Sequence, residues 1–440
     1  MINKLFTEAK LAGISEIDVY RLTKKETSIS IFNHSVDSQK VSVLSAAYYR
    51  GAYNGHLGSI YVENDNMSPE EIINAIKNNA GIINIDEPYF IYSGDKEYPK
   101  LNEVECDFNQ HTLLEKTNLC LKLAQLIESY DDVDNCPDCT YEESYYEYSI
   151  INSNGLNVSR KVGHAVIFGE VVAKRGDDVK SGYDMQLVHK FAEFDLEKLA
   201  ANAVKDTVSQ LGASPIASGI YPVVVKNSVM RSLLGAFSSV FSAESCIRKM
   251  SFLEGKEMMK VFGDNISIID DPLHPLAVSQ TSFDDEGVAA KSKVVVENGV
   301  FKTFLHNLKT AKMMGKETTG NGFKASVSSG VGVLPSNLYI KPLDTNFDDL
   351  VSLCNNGVYL TNVAGLHSGI NVISGDFSLQ SQGYVIRDGK ICEPINLIVT
   401  SGNIKELLSN VIAVGNDLDF KVGNMGSPSL LVKGLSISGK

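Results

Sequence analysis

Two neighbouring segments of the chain, residues 365–371 and 374–379, combine glycine with side chains that donate and accept hydrogen bonds. They read Gly-Leu-His-Ser-Gly-Ile-Asn and Ser-Gly-Asp-Phe-Ser-Leu, which is poor material for a packed core. Because glycine permits positive φ and close backbone approach, this composition predicts a loop folded around a ligand or another chain. The candidate peptide- or interface-binding residues in these segments are His367, Ser368, Asn371, Asp376 and Ser378.

Each of these side chains has an ordinary structural explanation beside the functional one. His367 is the best polar candidate, since it could donate or accept a hydrogen bond at a peptide-binding or subunit-facing surface. The alternative is a loop histidine bonded to nearby backbone. We expect Asp376 to anchor backbone N–H groups of the loop rather than to act as an acid or base. Ser378 has no partnered base visible in the sequence, so a nucleophilic role is not favoured.

Two further polar candidates lie upstream. Asn321, within Thr319-Gly320-Asn321-Gly322, could bind the backbone of a peptide, but asparagine and glycine also serve turn geometry, and the turn is the favoured interpretation. His306 lies in segment 304–311, which predicts a helix whose apolar positions pack against a core. The role of His306 itself stays open.

Together with residues 318–322, these two segments closely resemble the TldD/PmbA family of peptidase-related proteins. The resemblance covers nearly the whole chain and is densest from Tyr221 to the end. The family has a branch that carries a His-Glu-x-x-x-His zinc motif and a branch that lacks it. No such motif occurs in this sequence, so the chain resembles the second, PmbA (TldE)-like branch.

The resemblance also identifies where the zinc site would lie. In the metal-bearing branch, a helix carries two zinc histidines and a glutamate that takes a proton from the bound water. Here the matching stretch is 233–240, where Gly235 and Val240 stand in place of the histidines and Ala236 in place of the glutamate. The family's cysteine ligand has no counterpart in 423–428. The resemblance therefore implies that this chain has no catalytic residue and binds no metal or other cofactor.

A further implication of the resemblance is a dimer whose chamber lies between two chains. A TldD-like homologue with the His-Glu-x-x-x-His motif would supply the zinc. This chain would complete the chamber walls and align an unfolded peptide as an added strand. Two alternatives stay open. One is a non-catalytic homodimer that binds peptides or regulates another protein, in line with the family's association with DNA gyrase modulation. The other is a metal-independent hydrolase built on His367, Asp376 and Ser378.

Composition excludes several other classes of function. The chain has 53 acidic and 40 basic residues, a net charge of −13, which argues against nucleic acid as a partner because phosphate binding needs clustered lysine and arginine. The N-terminal residues lack the apolar region of a signal peptide, and no run is long enough to span a bilayer. Seven scattered cysteines do not form a secreted disulfide framework. We therefore expect a cytoplasmic protein without a membrane partner.

One cysteine pair calls for separate treatment. Cys136 and Cys139 form a C-x-x-C motif, which in other proteins is half of a zinc site or a redox couple. No second ligand pair and no thioredoxin-like βαβ pattern accompany it. The favoured interpretation is a structural or incidental role, with metal binding and redox chemistry as the alternatives.

The order of the predicted helices and strands indicates an α+β fold, because strands are grouped between helices rather than alternating with them. At 440 residues, two or three domains are expected. We predict an N-terminal α+β domain over 1–100, a central α+β region over 101–215 packed with it, and a larger β-rich peptidase-like domain over 216–440 that forms a groove or chamber.

Local patterns predict most of the individual elements. A capping box at Ser68 and Glu71 predicts the start of a helix, and the apolar run 219–225 predicts a buried strand followed by a helix from Asn227 to about residue 242. The other predicted helices are 4–12, 112–129 and 196–211, and the other predicted strands of the N-terminal half are 16–22, 28–32, 41–50, 55–62, 141–152, 155–163 and 165–173.

Overall fold

A computed structural model describes residues 2–64, 66–82, 88–101 and 105–440. Its N-terminal half is built on one antiparallel sheet with the strand order β3-β2-β1-β5-β6-β4, and β7 also pairs with β6. The strands are β1 (Glu16–Phe32), β2 (Ser35–Tyr53), β3 (His56–Glu63), β4 (Val133–Asn135), β5 (Asp138–Asn152), β6 (Asn157–Arg175) and β7 (Asp178–Val188). Strands from the predicted segments 1–100 and 101–215 thus share one sheet through the pairing of β1 with β5.

Four helices accompany this sheet: α1 (Ile2–Leu11), α2 (Pro69–Ile82), α3 (Leu113–Glu128) and α4 (Leu196–Val208). The predicted capping box of α2 is present, since the Glu71 N–H donates to Ser68 Oγ at 3.3 Å and the Ser68 N–H donates to Glu71 Oε2 at 2.7 Å. The apolar stripes of α1 and α2 pack on β1–β3 in one core, while α3 and α4 pack on β5 and β6 in a second. Capping and stripe together explain why these segments are helices.

Several strands are longer than the local patterns predict. The predicted strands 16–22 and 28–32 belong to a single strand β1, and 155–163 and 165–173 belong to a single strand β6. Strand β7, which the sequence reading did not identify, pairs with β6 over residues 165–175. Long strands of this kind take their stability from cross-strand pairs on both sides, a signal that no local window contains.

The C-terminal half contains two larger sheets and one small hairpin. Their orders are β15-β8-β21-β18-β17-β16 with β19 on β21, then β11-β10-β9-β14-β20, and β12-β13. The strands are β8 (Gly219–Val225), β9 (Ile268–Asp270), β10 (Lys293–Glu297), β11 (Val300–Phe301), β12 (Gly322–Lys324), β13 (Val331–Val333), β14 (Leu338–Ile340), β15 (Gly357–Ala364), β16 (Ile370–Asn371), β17 (Asp376–Arg387), β18 (Lys390–Asn403), β19 (Val411–Val414), β20 (Met425–Gly426) and β21 (Leu430–Ser438).

The helices of this half are α5 (Asn227–Phe237), α6 (Ala243–Ile247), α7 (Leu308–Met314), α8 (Phe347–Cys354) and α9 (Ile404–Ser409). Strand β8 is central, and Val223, Val224 and Val225 are fully buried as the apolar run predicts. The helix predicted from Asn227 ends at Phe237 and continues as a 3₁₀ turn over Ser238–Phe241. The main C-terminal core joins β8, α5 and the inner faces of β17, β18 and β21.

The predicted α+β class is confirmed by this arrangement of antiparallel sheets with helices grouped beside them. Within the described ranges, no helix is both long and apolar enough to cross a membrane. The two halves meet where the N-terminal sheet faces the segment around Phe283. There Phe283 packs in one small core with Tyr20, Leu22 and Ile150, and Arg160 of β6 pairs with Asp285.

Candidate functional site

The glycine-rich segment forms a tight loop against strand β17. Gly365 has φ +84°, a conformation that favours glycine, and its carbonyl oxygen accepts the N–H groups of Ser368 and Gly369 at 3.0 and 2.8 Å. A Cβ on Gly369 would lie 2.3 Å from the carbonyl oxygen of Ser378, so only glycine fits there without movement. The Ser378 N–H donates to the Gly369 carbonyl at 2.8 Å. The loop therefore has a defined shape set by its own backbone.

The second half of the loop is held by side chains. The side-chain oxygen of Asn371 accepts the N–H groups of Ile373 and Ser374, each at 3.1 Å, which is a turn of the kind asparagine often forms. Asp376 differs from its expected role, because its carboxylate accepts from the Ser374 hydroxyl at 2.6 Å and from the Asn403 amide at 2.7 Å rather than from loop N–H groups. These two donors hold the pKa of Asp376 below its ordinary value.

The predicted candidates in this loop share an exposed surface but form no catalytic arrangement. His367, Ser368, Asn371, Asp376 and Ser378 are all exposed. Ser378 Oγ accepts from the Ser401 hydroxyl at 3.0 Å, and no hydrogen bond joins it to His367 or Asp376 in the described part of the chain. A serine nucleophile needs a base within hydrogen-bond reach. The geometry thus gives no support to a hydrolase centred on these residues.

His306 lies elsewhere than predicted. Segment 304–311 is not one helix: α7 begins at Leu308, and Asn307 caps it by accepting the Thr310 N–H at 2.8 Å. His306 precedes the cap and is fully buried, and neither ring nitrogen has a hydrogen-bond partner among the described residues. Burial lowers the pKa of His306 to about 4, with Glu257 opposing the shift and Lys316 adding to it. This histidine is a neutral core residue at pH 7.

Asn321 is likewise buried rather than displayed on a turn. Its amide donates to Asp270 Oδ2 at 2.7 Å and to the Leu334 carbonyl at 3.0 Å, and its oxygen accepts from the Thr319 hydroxyl at 2.7 Å. Its backbone N–H donates to the His306 carbonyl at 3.2 Å, so His306 and Asn321 lie together. In the described residues, no hydrogen bond or ion pair connects this pair to the 365–378 loop. The candidates form two separate groups.

The positions that correspond to the family's metal site carry no suitable ligand, and two of them, Gly235 and Met425, lie in contact. A Cβ on Gly235 in α5 would lie 3.4 Å from Met425 Cγ in β20, so the helix and the segment that lacks the family's cysteine are in contact. Ala236 is half-buried, and Val240 lies on the 3₁₀ turn, buried in the main core. Tetrahedral zinc sites use thiolate, imidazole or carboxylate ligands, and these side chains offer none. The residues present do not fit the zinc that the fold family implies.

Elsewhere in the described ranges, no group of three or more histidine, cysteine, aspartate or glutamate side chains could hold a metal ion. Cys136 and Cys139 are buried in the core under α3, and neither forms a disulfide. Burial raises the pKa of Cys136 to about 12, and contact with Cys120 and burial raise the pKa of Cys139. High thiol pKa values oppose redox and metal chemistry at this pair.

Sequence reading did not identify the segment Asp284-Asp285-Glu286, which is buried where the two halves meet. The available signal was three consecutive carboxylates followed by Gly287 in a chain segment otherwise rich in apolar residues. Burial is the largest cause that raises the pKa of Asp284 and of Glu286 above their ordinary values. Repulsion from Glu286 adds to the shift of Asp284, and repulsion from Asp18 and Asp285 adds to that of Glu286. Glu286 also lines a cavity of about 230 Å³, together with Arg50, Tyr48 and Phe90.

Comparison with known families gives matches over two long segments. The model of the PmbA/TldA metallopeptidase C-terminal domain matches residues 218–439, and that of the PmbA/TldA metallopeptidase central domain matches 106–211. A metalloprotease of Methanothermobacter thermautotrophicus is 30% identical over 296 residues, which are 65% of this chain and 64% of the relative. A metalloprotease PmbA homologue of Buchnera aphidicola is 25% identical over 61% of this chain and 58% of its own. The chain thus spans less than two thirds of these two relatives.

Other matches extend over the full length. An uncharacterized protein of Methanocaldococcus jannaschii is 28% identical over 95% of each chain. A crystal structure from Thermotoga maritima, described as a candidate modulator of DNA gyrase, is 31% identical over 99% of each chain with a TM-score of 0.92. The crystal structure of TldE from Thermococcus kodakarensis has a TM-score of 0.88 over the whole length of both chains, but at 22% identity this likeness concerns the fold alone.

The family model over half of the chain, the relatives named PmbA and the end-to-end structural match agree with the resemblance of the 365–378 segments. The chain belongs to the PmbA/TldD metallopeptidase family, and its similarity to PmbA homologues is consistent with the PmbA-like branch.

Proposed function

We propose that this chain is the zinc-free subunit of a heteromeric metallopeptidase that acts on unfolded peptides, in a reducing cytoplasm. The observation that carries the proposal is the joint loss of ligands at one place. Gly235, Ala236 and Val240 stand at the family's histidine and glutamate positions, and Met425 contacts the same helix turn. Helix α5 and strand β20 stay in contact although the zinc ligands are missing. This supports a structural role for the region within a complex instead of metal binding by this chain.

The geometry of β17 supports a role in contacting another chain. Along β17 the residues alternate, so that Asp376, Ser378 and Gln380 face outward while Phe377 and Leu379 enter the core. The 365–376 loop leads into this row and exposes Ile373, an apolar side chain that is 55% accessible. An ordered loop with an exposed apolar tip is suited to a partner subunit or an extended peptide.

Co-expression tests the proposal. This chain would be produced with a homologue that carries His-Glu-x-x-x-His, and the mixture would be assayed by light scattering and by hydrolysis of reduced, unfolded casein. We expect a complex of equal stoichiometry whose activity is lost when the partner's motif glutamate is replaced by glutamine, and no activity from this chain alone. Metal-independent hydrolysis by the isolated chain would overturn the proposal.

A second candidate function is a homodimeric, non-catalytic regulator. It is favoured by the 31% identity over nearly the whole chain to the Thermotoga maritima structure described as a candidate gyrase modulator. The net charge of −13 favours a protein rather than DNA as the binding partner of such a regulator. Recovery of a stable homodimer that does not exchange subunits with the motif-bearing homologue would favour this function over the first.

A further inference from the structure

A polar cavity lies between the N-terminal sheet and the C-terminal half. It has a volume of about 230 Å³. Its walls come from β2 and β3 on one side, from residues 88–90 on another, and from residues 286, 307, 309, 330 and 331 on the third. Three aromatic side chains line it, namely Tyr48, Tyr89 and Phe90, all half-buried. This volume accommodates about one amino-acid residue of a ligand.

Two charged groups of the wall have unused hydrogen-bonding capacity. Glu286 is 94% buried; its Oε2 accepts the Leu308 N–H at 2.8 Å, whereas its Oε1 has no partner among the described residues. Arg50 donates Nε at 3.0 Å and Nη2 to the carboxylate of Asp18, whereas its Nη1 has no partner among the described residues. The site therefore offers one acceptor and one donor to a ligand.

Among the described carboxylates buried near the cavity, Glu286 accepts the fewest hydrogen bonds, and the charge of Arg50 lowers its pKa against the effect of burial. Four buried carboxylates of the described ranges lie in this region: Asp18, Asp284, Asp285 and Glu286. Arg50 pairs with Asp18, and Arg160 pairs with Asp285 at 3.1 Å. Asp284 is satisfied by the N–H groups of Glu286, Val288 and Gly322. Of these four carboxylates, Glu286 is the one that keeps an oxygen without a hydrogen-bond partner among the described residues.

Lys324, whose ammonium group packs on the cavity-lining ring of Tyr48, does not fill this need. The ammonium group of Lys324 donates to the Ser329 carbonyl and lies 3.6 Å from the ring centroid of Tyr48. It forms no ion pair with a carboxylate in the described part of the chain. Burial, with the repulsion of Arg50, lowers the pKa of Lys324 to about 8, which is what an ammonium group without a paired anion should show.

From this arrangement we propose that the cavity binds an α-aminoacyl group, with the primary ammonium on Glu286 Oε1, the adjacent carbonyl oxygen on Arg50 Nη1, and the side chain against Tyr89 and Phe90. A peptide amino terminus and a free amino acid both carry this group. Charge-assisted hydrogen bonds and ring faces supply the recognition. If the ligand is a peptide, the cavity is a site on this chain that anchors the amino terminus of the substrate. In that case the inference rests on the proposed function.

Calorimetry on the isolated chain tests the assignment with three probes: Phe-Ala-Ala, N-acetyl-Phe-Ala-Ala and free phenylalanine. We expect the free tripeptide to bind at least about tenfold more tightly than the acetylated one, because acetylation removes the charge that Glu286 recognises. Binding of phenylalanine but not of the tripeptide would identify an amino-acid site with the same chemistry. Equal affinity for acetylated and free tripeptide, or no binding of any probe, would overturn the proposal.

Variants locate the binding. Glu286→Gln should lower the affinity for Phe-Ala-Ala by about tenfold or more. The control is Glu63→Gln, which changes an exposed carboxylate of β3 outside the cavity wall and should leave the affinity unchanged. If Glu286→Gln fails to fold, Tyr89→Ala removes a half-buried wall and should also weaken binding. Undiminished affinity in a folded variant of either kind would refute the site. None of these measurements needs a partner subunit, so their failure is distinct from failure of the heteromeric complex to form.

Discussion

The α-carbon of Gly369 faces the carbonyl oxygen of Ser378 so closely that a methyl group on it would approach that oxygen to 2.3 Å. The same two residues are joined by the hydrogen bond from the Ser378 N–H to the Gly369 carbonyl at 2.8 Å. The loop with His367 and the exposed row of β17 are thus one unit. The shape of the loop depends on a missing side chain as much as on those that are present.

Gly369→Ala should therefore destabilise the protein and disorder the loop, because neither backbone segment can move without breaking the Gly369–Ser378 hydrogen bond. We expect a loss of about 1–3 kcal/mol in the free energy of unfolding, measured by urea denaturation. Gly330→Ala is the control, since a Cβ there would meet nothing within 4 Å. Equal stability of the two variants would contradict this account of the loop.

The burial of His306 predicts a pH dependence of stability. Its folded-state pKa of about 4 lies below the ordinary value of 6.5, so between these values the unfolded chain binds the proton and the folded chain does not. The stability that the neutral, buried His306 gives the folded state is therefore fully present above pH 6.5 and is lost as the pH falls towards 4. His306→Phe should remove this component, so its melting temperature should fall less steeply between pH 7 and 5 than that of the wild type.

The matched control for that experiment is His367→Ala, which removes an exposed histidine without a hydrogen-bond partner in the described residues. Its melting temperature should follow the wild-type pH profile. The groups that face His306 are Glu257 and Lys316, which form an ion pair at 3.1 Å. If His306→Phe retains the full wild-type slope, another group is responsible for the acid sensitivity.

Local signals sufficed for the elements that are stabilised locally. The capping box of α2 involves Ser68 and Glu71, three residues apart, and the buried strand β8 is a continuous apolar run. The local patterns predict two strands, 155–163 and 165–173, where the fold has the single strand β6. In the fold, a Cβ at Gly163 would lie 2.8 Å from Cys106 Sγ, so this glycine marks close packing within a strand.

The burial of His306 and the cavity at Glu286 depend on tertiary contacts that no local sequence pattern contains. Phe304 and Leu305 have helical spacing relative to residues of α7, yet the Asn307 cap starts the helix after His306, and only the tertiary fold buries that imidazole. The cavity at Glu286 joins side chains more than 200 positions apart, so no local window could pair Glu286 with Arg50. The family resemblance, in contrast, depended on short loop motifs that the sequence displays directly.

The ion pair between Arg160 and Asp285 should matter far more than surface pairs. Arg160 also donates to the Phe283 carbonyl at 2.9 Å and stacks on Tyr148, and both partners of the pair are at least 90% buried. Arg160→Met leaves a buried carboxylate without its cation and should cost about 3 kcal/mol in unfolding free energy.

Arg387→Met is the control for Arg160→Met. It breaks the pair of Arg387 with Glu393, in which both side chains are at least half exposed, and should cost under about 1 kcal/mol. Chemical denaturation measures both. If Arg160→Met lowers the unfolding free energy no more than Arg387→Met does, the contact between the two halves contributes little to stability.

Zinc should be irrelevant to the folded chain. Since Gly235, Ala236, Val240 and Met425 provide no thiolate, imidazole or carboxylate, we expect EDTA to leave the melting temperature unchanged and elemental analysis to find well under one zinc per chain. The motif-bearing homologue, treated identically, is the positive control. One zinc per chain together with a lower melting temperature in EDTA would reveal a metal site built from other residues.

The exposed tip of the 365–376 loop gives the most direct test of a subunit contact. Ile373 is 55% accessible and contributes no buried area to the isolated chain's main core, so Ile373→Asp should leave the melting temperature of that chain unchanged. If the loop enters a partner, the new carboxylate must be buried without a cation, and association should weaken by about tenfold or more. Leu353→Asp on α8, where the side chain is 59% accessible and lies outside the loop, is the matched control. Light scattering of mixtures with the motif-bearing homologue measures both variants. Equal assembly of the Ile373 and Leu353 variants would exclude the loop tip from the interface and would leave His367 and its neighbours to the peptide.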